Sequence, residues 1–270
     1  MRRKAGAIKR MAKLLMDHEP PGVGYEGMDR RSRFLVTCDH ACNRFPERLG
    51  DLGVSAAERQ RHIAWDIGAL GVARRLAAAL DAPLIYQQYS RLVIDANRDP
   101  TRADSIPLRS EATEIPGNKG LTPSARELRR REIFEPYHAA IRAELDARAT
   151  RGVDTLYVSV HSFTPVYLGD VRRWQAGVLW RSDRAFAELL LAGLRRDPGL
   201  EIGDNQPYSL QSDVDYSVPE HADTRGLSNV LLEIRQDEIT SEAQQADWAA
   251  RLLPLLREAD TTLHGCGASR

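Results

Sequence analysis

With 270 residues, 42% of them hydrophobic and 28% charged, the chain can bury a substantial core without disulfide or metal staples and has ordinary globular composition. Lys plus Arg and Asp plus Glu both number 38 and are interspersed, so no basic face offers itself to nucleic acid, and no apolar run approaches the ~18 residues of a membrane span. Neither nucleic acid nor membrane is expected as a partner. The three cysteines, Cys38, Cys42 and Cys266, cannot complete a disulfide framework. The basic start MRRKAGAIKRMAKLL lacks an uninterrupted apolar stretch and a small-residue cleavage site, so a cytoplasmic location is expected.

Residues 1–32 read as a short helix and a linker arm around Pro20-Pro21-Gly22, ahead of one domain over 33–264. Gly22, Gly24 and Gly27 match the spacing of a dinucleotide fingerprint. Such glycines need a strand before them and a helix after, whereas here two prolines precede and a strand follows, so the match reads as coincidence. From Arg33 apolar β-branched runs alternate with amphipathic stretches, a rhythm that predicts an α/β fold with a buried, largely parallel sheet covered by helices. Strands are expected at 34–38, 84–89, 92–95, 155–160, 177–180 and 229–233.

The capping box Ser55-Ala-Ala-Glu58 predicts a helix over 56–64, and the stripe Ile67, Leu70, Ala73, Leu76 and Leu80 predicts another over 66–80. Thr122-Pro123 opens a helix over 123–149, and Ser241 with Gln244 opens one over 242–263. Pro136 and Pro254 should kink these last two. The run Arg129–Arg131 reads as a solvated helix face. The aperiodic stretch 97–121 is too long for a simple connection and reads as a lid or binding loop.

Polar groups recur where the predicted strands end: His40, Asn97-Arg98, His161 and Glu233. In open α/β sheets ligands gather beyond the carboxyl ends of strands, so groups far apart in sequence can converge there. Two imidazoles and a carboxylate suit a divalent cation, and a catalytic zinc needs three such ligands with a fourth position open. His40 and His161 supply the imidazoles. Asp66, a carboxylate near a helix start, is preferred over Asn43 as the third group. Glu233 suits proton transfer beside a hydrolytic water, with an ion pair to Arg235 or Arg98 as the alternative. Arg98 offers a planar fork for a carboxylate. No Gly-x-Ser-x-Gly elbow, His-Glu-x-x-His helix or P-loop occurs.

Five blocks in order, Val36–Asn43, His62–Ala69, Ser90–Arg98, Val160–Phe163 and Leu232–Asp237, resemble the N-formylglutamate amidohydrolase family, and the resemblance runs from about Arg33 to Leu256. That family is similar in fold to the zinc carboxypeptidases and the aspartoacylase group. This implies a single α/β domain with a mixed, mostly parallel sheet flanked by helices, zinc-carboxypeptidase-like (phosphorylase/hydrolase-like). It further implies Zn2+, or another divalent metal, on His40, Asp66 and His161, because Asn43 stands where the carboxypeptidases have a liganding Glu. Glu233 would transfer the proton, and Arg98, with Asn97 and Arg91, would hold the α-carboxylate of the substrate. His221 and Arg235 are further candidate pocket residues. The implied partner is a small-molecule N-acyl amino acid, first among them N-formyl-L-glutamate, hydrolysed to formate and L-glutamate in histidine degradation. The alternatives are another N-acyl amino-acid deacylase, a carboxypeptidase-like peptidase, or a non-catalytic carboxylate-binding protein.

Overall fold

A computed structural model describes residues 13–210 and 214–265. Seven segments form its central sheet: β1 (Val23–Glu26), β2 (Phe34–Cys38), β3 (Leu84–Gln87), β4 (Leu156–Phe163), β5 (Ala176–Leu179), β6 (Ile202–Asp204) and β7 (Ser228–Arg235), in the spatial order β1-β3-β2-β4-β7-β5-β6. The central four, β3, β2, β4 and β7, are parallel. β1 closes one edge antiparallel to β3, while β5 runs antiparallel to β7 and carries β6 beside it. The sheet is therefore mixed and mostly parallel, as expected.

β2 and β4 are buried along their whole length, and this is why they read as mainly apolar runs rather than strict alternation: helices cover both faces. Phe34, Val36, Val158, Val160, Val230 and Leu232 point to the face packed by α1 (Ala69–Ala79), α4 (Arg184–Leu194) and α6 (Glu242–His264). Leu35, Tyr157 and Leu231 alternate onto the other face, against Tyr137, Ile141 and Leu145 of α3 (Glu135–Thr150). Asp39, His161 and Glu233 share that second parity. Register sets Glu233 opposite His161 on β4 and opposite Gly177 on β5.

Several elements depart from the sequence expectations. The predicted strand 92–95 is a buried turn and coil. Val93 N–H donates to Ser90 O, and the carbonyls of Leu92 and Val93 accept from Asn118 and Arg129, which satisfies the backbone without a ladder. Residues 56–64 form a single 3-10 turn, Glu58–Gln60, because the chain extends again at Arg61. The helix expected from 66 starts at Ala69, since Gly68 takes a left-handed φ of 79°. His62 and Asp66 therefore do not share a helix face. The helix expected over 123–149 is α2 (Pro123–Arg129), a π-helical turn Arg130–Phe134 and then α3. The wide turn precedes Pro136, whose ring has no N–H to give.

Arg129 is buried, not solvated; it donates to Val93 O at 2.8 Å and to Asn118 Oδ1 at 2.7 Å. The segment read as a linker arm contributes β1, and the glycine-spaced motif lies along that strand with no helix after it. The N-terminal helix expected from the first residues falls on 1–12, outside the described residues. Cys38 and Cys42 are free thiols, and Cys266 also lies outside the described residues. Among the described residues no helix is long and apolar enough to cross a membrane.

Candidate active site

Beyond the carboxyl ends of β2, β4 and β7 lies a cavity of about 550 Å³, bordered by His40, Asp66, His161 and Glu233, by Arg91, Asn97, Arg98 and Asp215, and by Tyr167 and Tyr208. Stretch 97–121 forms one wall through Asp104, Pro107, Arg109, Ser110 and Glu111, so the expected binding loop does face the cavity. Glu111 ties this wall down through Arg61, which its carboxylate pairs with, and sits 3.4 Å from His62 Nε2.

His40 lies two residues past β2, His161 stands near the end of β4, and Asp66 precedes α1 with its N–H donating to His40 O at 2.9 Å. One ligating atom from each lies within 4.8 Å of the other two, and all three residues are buried. His161 Nε2 donates to Asp39 Oδ2 at 3.0 Å and His40 Nε2 donates to Asp95 Oδ1 at 2.8 Å. Each ring therefore has a carboxylate at both nitrogens, Asp66 Oδ2 lying 3.3 Å from His40 Nδ1 and 2.8 Å from His161 Nδ1; a neutral imidazole protonated on Nε2 would turn its Nδ1 lone pair toward Asp66. Lone pairs facing a carboxylate oxygen repel unless positive charge sits among them. Burial works against a charged His161, but hydrogen bonds and charge from Asp39 and Asp66 push its affinity for a proton well up. Two imidazoles backed by carboxylates and one carboxylate between them are the donor set that a divalent cation takes, with each backing carboxylate fixing its ring.

Asp39 is held in turn by Tyr137 Oη at 2.5 Å, and Asp95 by Arg91, whose Nη2 donates at 2.8 Å. Arg91 also reaches Asp66 Oδ1 at 3.5 Å. Asn43 points away, donating to Arg59 O and Gln60 Oε1, both at 3.0 Å, so the carboxylate of Asp66 completes the cluster.

Glu233 is buried, and its Oε2 has no hydrogen-bond partner. Burial first, then the negative charges of Asp66 and Asp215, push its carboxyl up to about 8 despite the counteracting field of His161. An ionisable group held in this way at a cavity wall suits proton transfer near neutral pH.

Arg98 borders the cavity, with Nη1 donating to Asn97 O at 2.7 Å and lying 3.4 Å from Asp215 Oδ1. The Asn97 amide is fully engaged: Nδ2 donates to Asp215 Oδ1 at 2.7 Å, and Oδ1 accepts the N–H groups of Tyr216 and Ser217 at 2.9 Å, tying down the start of α5 (Ser217–His221).

Two candidates stand outside the cavity. His221 is fully buried; its Nε2 donates to His138 Nδ1 at 2.8 Å, and His138 Nε2 donates to Ala96 O at 3.0 Å, a stacked neutral pair behind the Asn97 turn. Arg235 spends its guanidinium on Asp237 (2.7 Å), Glu238 (3.0 Å) and the carbonyls of Arg172, Arg173 and Trp174.

Asp39, Asp95, Asp215 and Tyr208 are site residues to which the sequence reading assigned no role. Asp39 and Asp95 sit beside legible residues in the chain; Asp215 and Tyr208 carry no motif. The segment bearing Tyr208 is drawn against β5 and β6. There a Cβ on Gly177 or Gly203 would meet Gln206 O at 1.9 or 2.6 Å, so both positions require glycine.

Fold and site together define the class: an α/β protein with a buried His-Asp-His group able to hold a metal ion beyond its strand ends, and a buried carboxyl with a partnerless oxygen in the same cavity. The sequence model of the N-formylglutamate amidohydrolase family matches residues 32–240, and the chain belongs to that family. A curated N-formylglutamate deformylase of Pseudomonas putida is 33% identical over 129 residues, 43% of this chain, and the match spans 46% of that protein's length. A solved structure of a gene product from Agrobacterium tumefaciens is similar at TM-score 0.90 with 36% identity, covering 93% of this chain and 99% of that one. The N-formylglutamate amidohydrolase of Ralstonia eutropha shares the fold at TM-score 0.66 and 18% identity, over 91% of this chain and 100% of that one.

Proposed function

We propose that the chain is a metal-dependent amidohydrolase that cleaves the formyl amide of N-formyl-L-glutamate, releasing formate and L-glutamate, the step expected in histidine degradation. The observation that carries this reading is the His40-Asp66-His161 group with the unpartnered Glu233 Oε2 in the same cavity. His40, Asp66 and His161 would hold the ion, zinc or another divalent metal, and Asp95 and Asp39 would hold the two rings in place. Such a cation supplies positive charge that polarises the formyl carbonyl and acidifies water at the site.

Glu233 Oε2 takes a proton from the attacking water as the C–O bond forms and gives it to the amide nitrogen as the C–N bond breaks. Arg98 is the group for the α-carboxylate, which lies one carbon from that nitrogen and so must bind close to the reacting atoms. Arg91 is bound by Asp95 and Asp66 and acts by orienting them, and Asn97 acts by holding Asp215 and α5.

Purified protein should contain about one divalent metal per chain and release formate from N-formyl-L-glutamate in a chelator-sensitive way. His40→Ala and His161→Ala should each be metal-depleted. Full occupancy in both variants would remove these residues from the site, and absence of formate release by the metal-replete protein would end the deformylase reading.

A further inference from the structure

Arg172 follows the hairpin Val166–Tyr167 and Asp170–Val171 and is only 9% exposed. Its guanidinium sits among three rings, 4.6 Å from the centroid of Tyr208, 4.8 Å from Tyr167 and 5.9 Å from Phe163. Nη1 donates to Tyr208 Oη at 2.8 Å. Its backbone is clasped from both sides, the N–H donating to Pro165 O at 2.8 Å and the carbonyl accepting from Arg235 Nη1 at 3.4 Å.

What Arg172 lacks, among the described residues, is a carboxylate. Every arginine that borders the cavity has one: Arg91 has Asp95, Arg98 has Asp215, and Arg109 has Glu114. A largely buried cation held by π clouds and one phenol is less well compensated than one paired with a carboxylate, because aromatic faces return less. Two of the three rings, Tyr167 and Tyr208, line the cavity that holds Glu233. Tyr208, whose hydroxyl accepts from Arg172, borders the same cavity as Glu233.

We propose that Arg172, with Tyr208 Oη, is the specificity-determining anion subsite of this cavity and takes the side-chain carboxylate of an acidic N-acyl amino acid. This rests on the hydrolase reading above and adds the reason for an acidic substrate. Arg98 adjoins Asp95 and hence the His40 end of the site, where the α-carboxylate must lie. Arg172 does not itself border the cavity; it stands behind Tyr208, which does, so the side-chain carboxylate, two methylenes further along the substrate, would meet Tyr208 Oη with the guanidinium behind it.

The test compares kcat/KM on N-formyl-L-glutamate and N-formyl-L-glutamine, which have the same length and differ in charge. Wild type should prefer the acid by ~10² or more, since a site built around a charge rejects the analogue lacking it. Arg172→Met keeps the stem among the rings and should erase that preference, lowering the acid ~10²-fold while moving the amide less than about threefold. Arg172→Lys should restore part, because a point charge lacks the planar fork. Tyr208→Phe, which keeps the ring, should lower the preference by a smaller factor and serves if Arg172→Met does not fold. Equal loss on acid and amide, or no preference in wild type, overturns the proposal while leaving the hydrolase reading intact. Calorimetric binding of L-glutamate against L-glutamine separates the two claims if no formate is released: selective binding of glutamate that Arg172→Met abolishes upholds the subsite, and equal binding of both overturns it.

Discussion

Glu233→Gln should produce an enzyme that is slower and, without metal, more stable. The Glu233 carboxyl is held at about 8 by burial against an ordinary 4.5. Between these values the unfolded chain is ionised while the folded chain keeps its proton, so the unfolded state binds fewer protons and stability falls as pH rises from 4.5 to 8. At ~1.4 kcal/mol per pH unit, the penalty accumulated by pH 8 is on the order of 3–5 kcal/mol in metal-free protein. Glutamine does not ionise and escapes it, although its amide at the partnerless Oε2 position costs about 1–3 kcal/mol at every pH.

The informative quantity is therefore the change in the mutational effect between pH 5 and pH 8, in which the pH-independent part cancels. Thermal unfolding in the presence of chelator should show the variant gaining on wild type by several degrees between the two, at ~2 °C per kcal/mol for a chain of this size. Formate release by the metal-replete variant should be slower by ~10² or more with metal content unchanged. A Tm difference that is the same at both pH values would show that Glu233 is not a carboxyl held protonated by burial, and unchanged turnover would remove it as the proton carrier.

Asp39→Asn keeps an acceptor for Tyr137 but takes the charge from His161 Nε2. Chelator competition should show metal affinity weaker by ~10–100-fold with KM little changed, and unaltered affinity would show that Asp39 does not position the ring. Burial pushes His138 down to about 4, and burial together with His138 pushes His221 down to about 2. The unfolded chain takes up both protons below its ordinary 6.5 while the folded pair does not, so stability is full above that pH and is lost as the pH falls. His221→Gln, which keeps a donor for His138, should make this acid loss shallower by ~1.4 kcal/mol per pH unit between about 6 and 4 in urea unfolding. An unchanged slope would mean that His221 titrates freely in the folded protein.

His40, His161 and Glu233 were legible because a polar residue at the end of a long apolar run is conspicuous and the parallel topology brings those ends together, while Asp66 was legible as a carboxylate near a helix start. The segment Leu92–Ile94 was not, since a buried loop has the same apolar composition as a buried strand. What distinguishes it is that its carbonyls are satisfied by Asn118 and Arg129, which are distant in sequence. Helix α4 carries the Asp183 cap and the stripe Phe186, Leu190, Leu191 and Leu194, signals present in the sequence although α4 is not among the helices expected from it. Asp39 and Asp95 were visible beside legible residues, yet their role follows only from which imidazole nitrogen each one holds. Arg172 and Asp215 belong to no motif, and their environments are assembled by a hairpin and a loop whose positions no local pattern encodes.

The two glycines beneath the Tyr208 segment make the pocket modular. Gly177 and Gly203 let the Gln206 carbonyl settle onto the sheet, so the start of the outer wall is anchored there by main chain. The groups proposed to move the proton and hold a metal sit on or just past strand ends, Asp66 on the turn before α1, while Tyr167, Arg172 and Tyr208 ride on a hairpin and a loop. If the proposed subsite holds, substrate preference should be open to change at those three positions with the strand-end groups left in place, whereas a single methyl group on either glycine would push the Gln206 carbonyl and the wall that follows it.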